Sequence, residues 1–180
     1  MTEDRFRTAV AADIPALHAL IESAYRGDSA RAGWTHEADL LGGQRTDVEA
    51  LAAMIADPAQ RILIAGDPEN AEGTPIGCVA LTAKPPATAY LGMLTVRPDL
   101  QGGGLGRKLI AAAEAAARAI FSADIMEMTV IRQRPELIAW YERRGYVQTG
   151  ERRPFPHDDA RFGLPNDPTL EFVVLEKPLR

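Results

Sequence analysis

The chain has 180 residues, 46% of them apolar and 25% charged, with a formal net charge of −5. That length fits one domain over residues 1–180, at roughly 100–200 residues per domain, and buries a core without staples. The single cysteine, Cys78, excludes an intramolecular disulfide and a cysteine-rich metal site, and mild acidity without Lys/Arg clusters excludes the electrostatic footprint of nucleic-acid binding.

The histidines (His18, His36, His157) never reach a zinc-ligand spacing, so no metal is expected. No apolar run approaches the ~18 residues of a membrane span. The polar start at residues 1–5 predicts no secretory signal, and the lone free cysteine suits a cytoplasmic protein.

Residues 6–10 read as a short edge strand. Asp13 then reads as an N-cap with Pro15 in the first helical turn, followed by Ile14, Leu17, Ile21 and Tyr25 at spacings of three and four. Residues 28–45 lack a sustained period; a short helical turn is expected from a Thr35 cap through Leu41. A second helix begins at Thr46 or Asp47, with Val48, Leu51, Met54 and Ile55 as its stripe, and stops at Asp57-Pro58. Residues 61–65 and 76–83 read as a hairpin around a polar turn, and 89–96 as the next strand. A glycine-dense turn leads into a long alanine-rich helix, expected to face inward with Leu105, Leu109, Ile110, Ala113, Ala117 and Ile120. Residues 124–131 form a strand, Pro135 opens a helix that Gly145 terminates, and 146–152 and 169–175 are the last strands. The order β-α-α-β-β-β-α-β-α-β-β argues one α/β sheet with helices on both faces.

The run Gln101-Gly102-Gly103-Gly104-Leu105-Gly106 carries the most chemistry. Glycines let main-chain N–H groups approach a ligand, and the helix that follows adds unpaired donors and a partial positive charge. A strand–turn–helix of this kind holds a phosphate or diphosphate. No register supplies a P-loop, and Arg107 stands where a dinucleotide fingerprint needs its third glycine.

Gln101-x-x-Gly104-x-Gly106, with Val96-x-Pro98 before it, resembles the acyl-CoA-binding motif of the GNAT N-acetyltransferase superfamily. The likeness is specific over about residues 91–147. It implies a mixed, mostly antiparallel central sheet and acetyl-CoA as co-substrate. It also implies that Leu94 and Val96 offer main chain to the pantetheine and thioester. Gln101, Gly102, Gly104, Gly106 and Arg107 would then hold the phosphates. The segment from Arg134 to Tyr146 resembles the superfamily's later helix, where Tyr141 matches the residue that protonates the departing thiolate. The competing reading makes Tyr141 a core aromatic on the face of Leu137 and Ile138. Relatives often carry Asn seven residues before that tyrosine; here the position is Arg134, and the Asn role is not carried over.

No carboxylate lies in the strand 89–96, so the base must come from elsewhere. Glu37 is the first candidate, in a long loop that also offers Trp34 and His36 beside Tyr25 as an acceptor surface. An ordinary first-turn glutamate after the Thr35 cap is the plain reading of Glu37. Glu127 is a further candidate, though a lone strand carboxylate is usually exposed. Between the last strands, Phe155 could wall the acceptor site and Arg153 or Arg161 could bind an acceptor carboxylate. Cys78, in an apolar run, reads as inert core.

The leading expectation is direct acetyl transfer from acetyl-CoA to a small-molecule amine in a ternary complex. The alternatives are acetylation of a protein N-terminus or lysine, and a non-catalytic acyl-CoA sensor. No nucleic-acid or membrane partner is expected, and a homodimer is compatible with the sequence.

Overall fold

A computed structural model describes residues 6–33, 39–67, 73–160 and 163–180, with 27 and 28 as backbone only. In chain order the elements are β1 (Phe6–Thr8), α1 (Ile14–Tyr25), α2 (Gly27–Ala30), β2 (Leu41–Gly42), α3 (Val48–Ala56), β3 (Gln60–Gly66), β4 (Pro75–Lys84) and β5 (Thr88–Val96). There follow α4 (Leu105–Phe121), β6 (Ile125–Ile131), α5 (Pro135–Glu142), β7 (Val147–Pro154), β8 (Leu164–Pro165) and β9 (Glu171–Pro178). Seven strands form one sheet in the order β1-β3-β4-β5-β6-β9-β7, and β2 pairs with β8 in a separate ribbon. Among the described residues, only β5 and β6 pair in parallel.

The expected α/β sheet is present, with differences in detail. Leu41 lies in the β2–β8 ribbon, paired with Pro165, and not at the end of a helical turn; residues 34–38 of that turn lie outside the described residues. Ile120 is 44% exposed, because Phe121 packs on the core in the last turn of α4, four residues after Ala117.

Helices cover both faces. Leu63, Val79, Leu81, Ala89 and Leu91 pack with α4 and α5, and Ile62, Ile64, Cys78 and Ala80 pack with α1 and α3. Successive residues of a strand point to opposite faces, so strands covered on both sides read as continuous apolar runs. Asp47 caps α3, accepting the Ala50 N–H at 2.7 Å.

Two features of β5 place the site. It pairs with β6 only through Thr88–Tyr90 against Ile125–Glu127, and beyond Tyr90 the two strands diverge. In the β4 register, Cys78 faces Thr95 and Ala80 faces Gly92, so Met93 and Leu94 together oppose Val79. This is a β-bulge, and Met93 takes φ +50°. The extra residue reverses which face the strand presents. Ala89 and Leu91 pack with α4, Met93 packs with α1, and Leu94 and Val96 return to the α4 side.

Candidate active site

In an antiparallel ladder alternate residues turn their N–H and C=O away from the neighbouring strand. The Arg97 N–H donates to the Ile76 carbonyl of β4 at 2.8 Å, so Val96 is an outward-turned residue facing the gap that β6 has left. The Val96 carbonyl accepts from Gln101 Nε2 at 3.2 Å. The Leu94 carbonyl accepts from the Tyr25 hydroxyl of α1 at 2.5 Å.

β5 runs into the glycine turn and the start of α4. Gly102 and Gly104 have φ of +87° and +89°, which L side chains rarely adopt. A Cβ on either would meet nothing within 4 Å, so the backbone angle and not crowding calls for glycine there. Gly104 caps the 17-residue α4 with no side-chain hydrogen bond, leaving the first-turn N–H groups facing the turn. At Gly106 a Cβ would lie 3.4 Å from the Trp140 ring, so the helix start sits close against α5. Gln101 Oε1 is buried and has no hydrogen-bond partner among the described residues.

Cations gather at this mouth. The Arg144 guanidinium lies 3.5 Å from the centroid of the Trp140 ring and donates to the Trp140 carbonyl at 2.6 Å. Burial, followed by the like charges of Arg143 and Arg107, lowers the Arg144 pKa. The Arg107 and Arg144 guanidiniums and an uncapped helix start make a site for an anion.

Two cavities meet here. One, of about 160 Å³, runs from the glycine turn past Trp140 and Arg144. The other, of about 330 Å³, lies in the cleft between the diverging strands, lined by Tyr90 and Met93 on one side and Thr129 and Val130 on the other. Tyr25, Leu94, Arg134, Leu137 and Tyr141 line both. Tyr141 is thus at the junction. Burial is the largest influence on its phenol and pushes the pKa well up. Tyr25 adds to that rise, while the charges of Arg134 and Arg144 oppose it.

The structure brings together Tyr25, Leu94, Val96, Gln101, Gly102, Gly104, Gly106, Arg107 and Tyr141 around the first cavity. Trp34, His36 and Glu37 lie outside the described residues, as does Arg161. Phe155 is buried against Phe172 and His157, and the residues of that region that face the second cavity are Pro156 and Phe172. Glu127 is 5% exposed, not surface-lying, and pairs with Lys84 at 2.6 Å and Arg153 at 2.9 Å. Burial alone would raise its pKa, but the hydrogen bonds from Arg153 and Lys84 outweigh it and hold the carboxylate below its ordinary value. Glu127 is therefore a structural anion and a poor base, and Arg153 is occupied by it. Cys78 is fully buried, and burial pushes its thiol up to about 12.

Sequence reasoning missed Arg45, Tyr90 and Thr129 in the second cavity, and Trp140 and Arg144 in the first. Trp140 and Arg144 stand four residues apart, a helical spacing that brings a cation onto a ring. Arg45 carried no such signal, because it reaches the cleft from a loop.

The acetyltransferase (GNAT) family is matched over residues 17–146. No curated protein gives a significant sequence match. Solved structures share the fold. The Salmonella typhimurium protein yncA, with its cofactor acetyl-CoA, superposes with a TM-score of 0.69 at 18% identity, covering 99% of this chain and 95% of that one. Spermidine N-acetyltransferase from Vibrio cholerae, in complex with CoA and spermine, gives 0.68 at 19%, covering 97% and 95%.

Proposed function

Because this chain belongs to the acetyltransferase (GNAT) family, we propose that it moves the acetyl group of acetyl-CoA directly to the amine of a small molecule within a ternary complex. The observation that carries this reading is the open Leu94–Val96 edge running straight into the glycine turn, with Tyr141 where the two cavities join.

The residues fit the co-substrate. Gly102 and Gly104 leave open space beside a main chain that only glycine follows easily, and α4 starts there with no side-chain cap on its N–H groups. The N–H groups around Gly102, Gly104 and Gly106 would hold the diphosphate with Arg107 and Arg144, and the outward main chain of Leu94 and Val96 would pair with the pantetheine arm. Acetyl-CoA supplies an activated thioester; the Val96 N–H polarises its carbonyl oxygen.

The acceptor nitrogen, held in the second cavity, attacks the carbonyl carbon. As the C–N bond forms and the C–S bond breaks, Tyr141 gives its proton to the departing sulfur and recovers one from the amine through solvent. The raised pKa keeps Tyr141 protonated at neutral pH. A thiolate forming in the same dry junction is raised by the same burial, so donor and acceptor remain matched. The second cavity, at about 330 Å³, suits a small molecule.

Calorimetry with CoA at low salt, followed by thiol release from acetyl-CoA across a panel of amines, tests this. Binding together with amine-dependent release is expected. Binding with no amine-dependent release favours a sensor, and no binding overturns the reading.

A further inference from the structure

Side chains hold the β5 bulge. The Met93 carbonyl accepts the Thr95 hydroxyl at 2.9 Å, and the Leu94 carbonyl accepts the Tyr25 hydroxyl at 2.5 Å. A bulge interrupts the ladder, so its main-chain groups keep one orientation only where other partners fix them. Tyr25 is the last residue of α1, and helix ends fray. The hold on Leu94 therefore depends on what fixes the Tyr25 ring.

Two residues act on that ring in series. The Arg45 guanidinium carbon lies 5.1 Å from its centroid, within reach of a cation–π contact. Arg45 stands in the connection between β2 and α3, where no helix or strand places it. Glu22 of α1 does so instead: its Oε1 accepts the main-chain N–H groups of Arg45 and Thr46 at 2.7 and 2.8 Å. Thr46 is buried, and a buried main-chain donor is costly to leave unpaired, so this carboxylate fixes the segment just before α3. Glu22 and Tyr25 are three residues apart on one helix, so the pinned backbone and the ring beside the guanidinium share one face of α1.

Resting on the transferase reading, we propose that Glu22 and Arg45 are positioning residues for acetyl transfer. Glu22 sets the Arg45 main chain, Arg45 holds the Tyr25 ring, and Tyr25 holds the Leu94 carbonyl where the two cavities meet. The effect reaches the thioester through the β5 main chain, two residues before the Val96 N–H. Small displacements of the groups that align two reactants cost rate even when binding is preserved. The glycine turn that would hold the diphosphate lies outside this link, so affinity for CoA is left to other residues.

The test measures kcat by thiol release from saturating acetyl-CoA with the fastest of phenethylamine, leucine amide and spermidine, and CoA affinity by calorimetry. Amide hydrogen exchange of the peptide over residues 91–97 is followed in the ligand-free protein. Tyr25→Phe should lower kcat about tenfold, and Glu22→Ala or Arg45→Met about fivefold, with CoA affinity unaltered and exchange of 91–97 faster in each. Glu22→Gln, whose amide oxygen still accepts both N–H groups, should stay within about twofold of wild type. Adding Glu22→Ala to Tyr25→Phe should leave the loss at about tenfold, against about fiftyfold for independent roles. Losses that multiply, a Glu22→Gln as impaired as Glu22→Ala, or kcat and exchange unmoved in both Glu22→Ala and Arg45→Met overturn this inference alone. Thiol release with none of these amines despite CoA binding overturns the transferase reading, and this inference with it.

Discussion

The Tyr25 hydroxyl of α1 donates to the carbonyl of Leu94, the second residue of the β5 bulge, at 2.5 Å. A helix on one face of the sheet thereby grips the main chain at the point where the two cavities meet. Tyr25→Phe removes this grip with little change of volume. It is expected to cost about 1 kcal/mol of stability and to lower kcat/KM by about tenfold through misplacement of the thioester. Urea melts and steady-state kinetics check this; a variant with unaltered turnover would remove Tyr25 from the positioning machinery.

Tyr141→Phe tests the acid. Removing a general acid costs about 10²–10⁴ in rate, so kcat should fall by that amount with CoA affinity unaltered. A free phenol titrates at about 10, and burial moves Tyr141 upward from there. The acid form therefore persists across the neutral and mildly alkaline range. The wild-type rate should climb with pH as the acceptor amine loses its proton and show no alkaline fall below about pH 10.

Glu127→Gln tests the paired carboxylate. Its folded pKa lies below the unfolded value, so the stabilisation is complete above the unfolded pKa, about 4.3, and is lost as pH falls through the folded value. Lys84 and Arg153 are partly exposed and can solvate alone, so the loss at pH 7 is discounted to about 1–2 kcal/mol. Chemical denaturation at pH 7 and at pH 3 should show the gap between wild type and variant narrowing at the lower pH.

At Gly104, φ is +89° and a Cβ would meet nothing within 4 Å. Gly104→Ala therefore measures backbone strain without a clash, about 1–2 kcal/mol. If the turn relaxes to relieve that strain, CoA affinity should drop by about tenfold in calorimetry. Equal affinity in the variant would mean that the turn's left-handed geometry is not what the ligand reads.

Much of the fold was legible because it rests on local period. Leu17 and Ile21 of α1, Leu109 and Ala113 of α4, and the apolar runs of β3 and β4 announce their faces within one window. The glycine turn was legible because its chemistry is contiguous. What escaped notice depends on distant partners. Two-residue strands such as Leu41–Gly42 exist only through their pairing with Leu164–Pro165. Glu127 is buried because Lys84 and Arg153 arrive from two other strands. Residues 89–96 read simply as the next strand, and nothing in that run marks Met93 as the extra residue.

That extra residue has a consequence for how the chain tolerates length changes. Removing one amino acid between Gly92 and Leu94 would restore uninterrupted pleating with Leu94 and Val96 still on the α4 side, and would straighten the strand where the Leu94 carbonyl meets the α1 phenol. The hinge-like surplus in mid-strand should thus be intolerant of insertion or deletion.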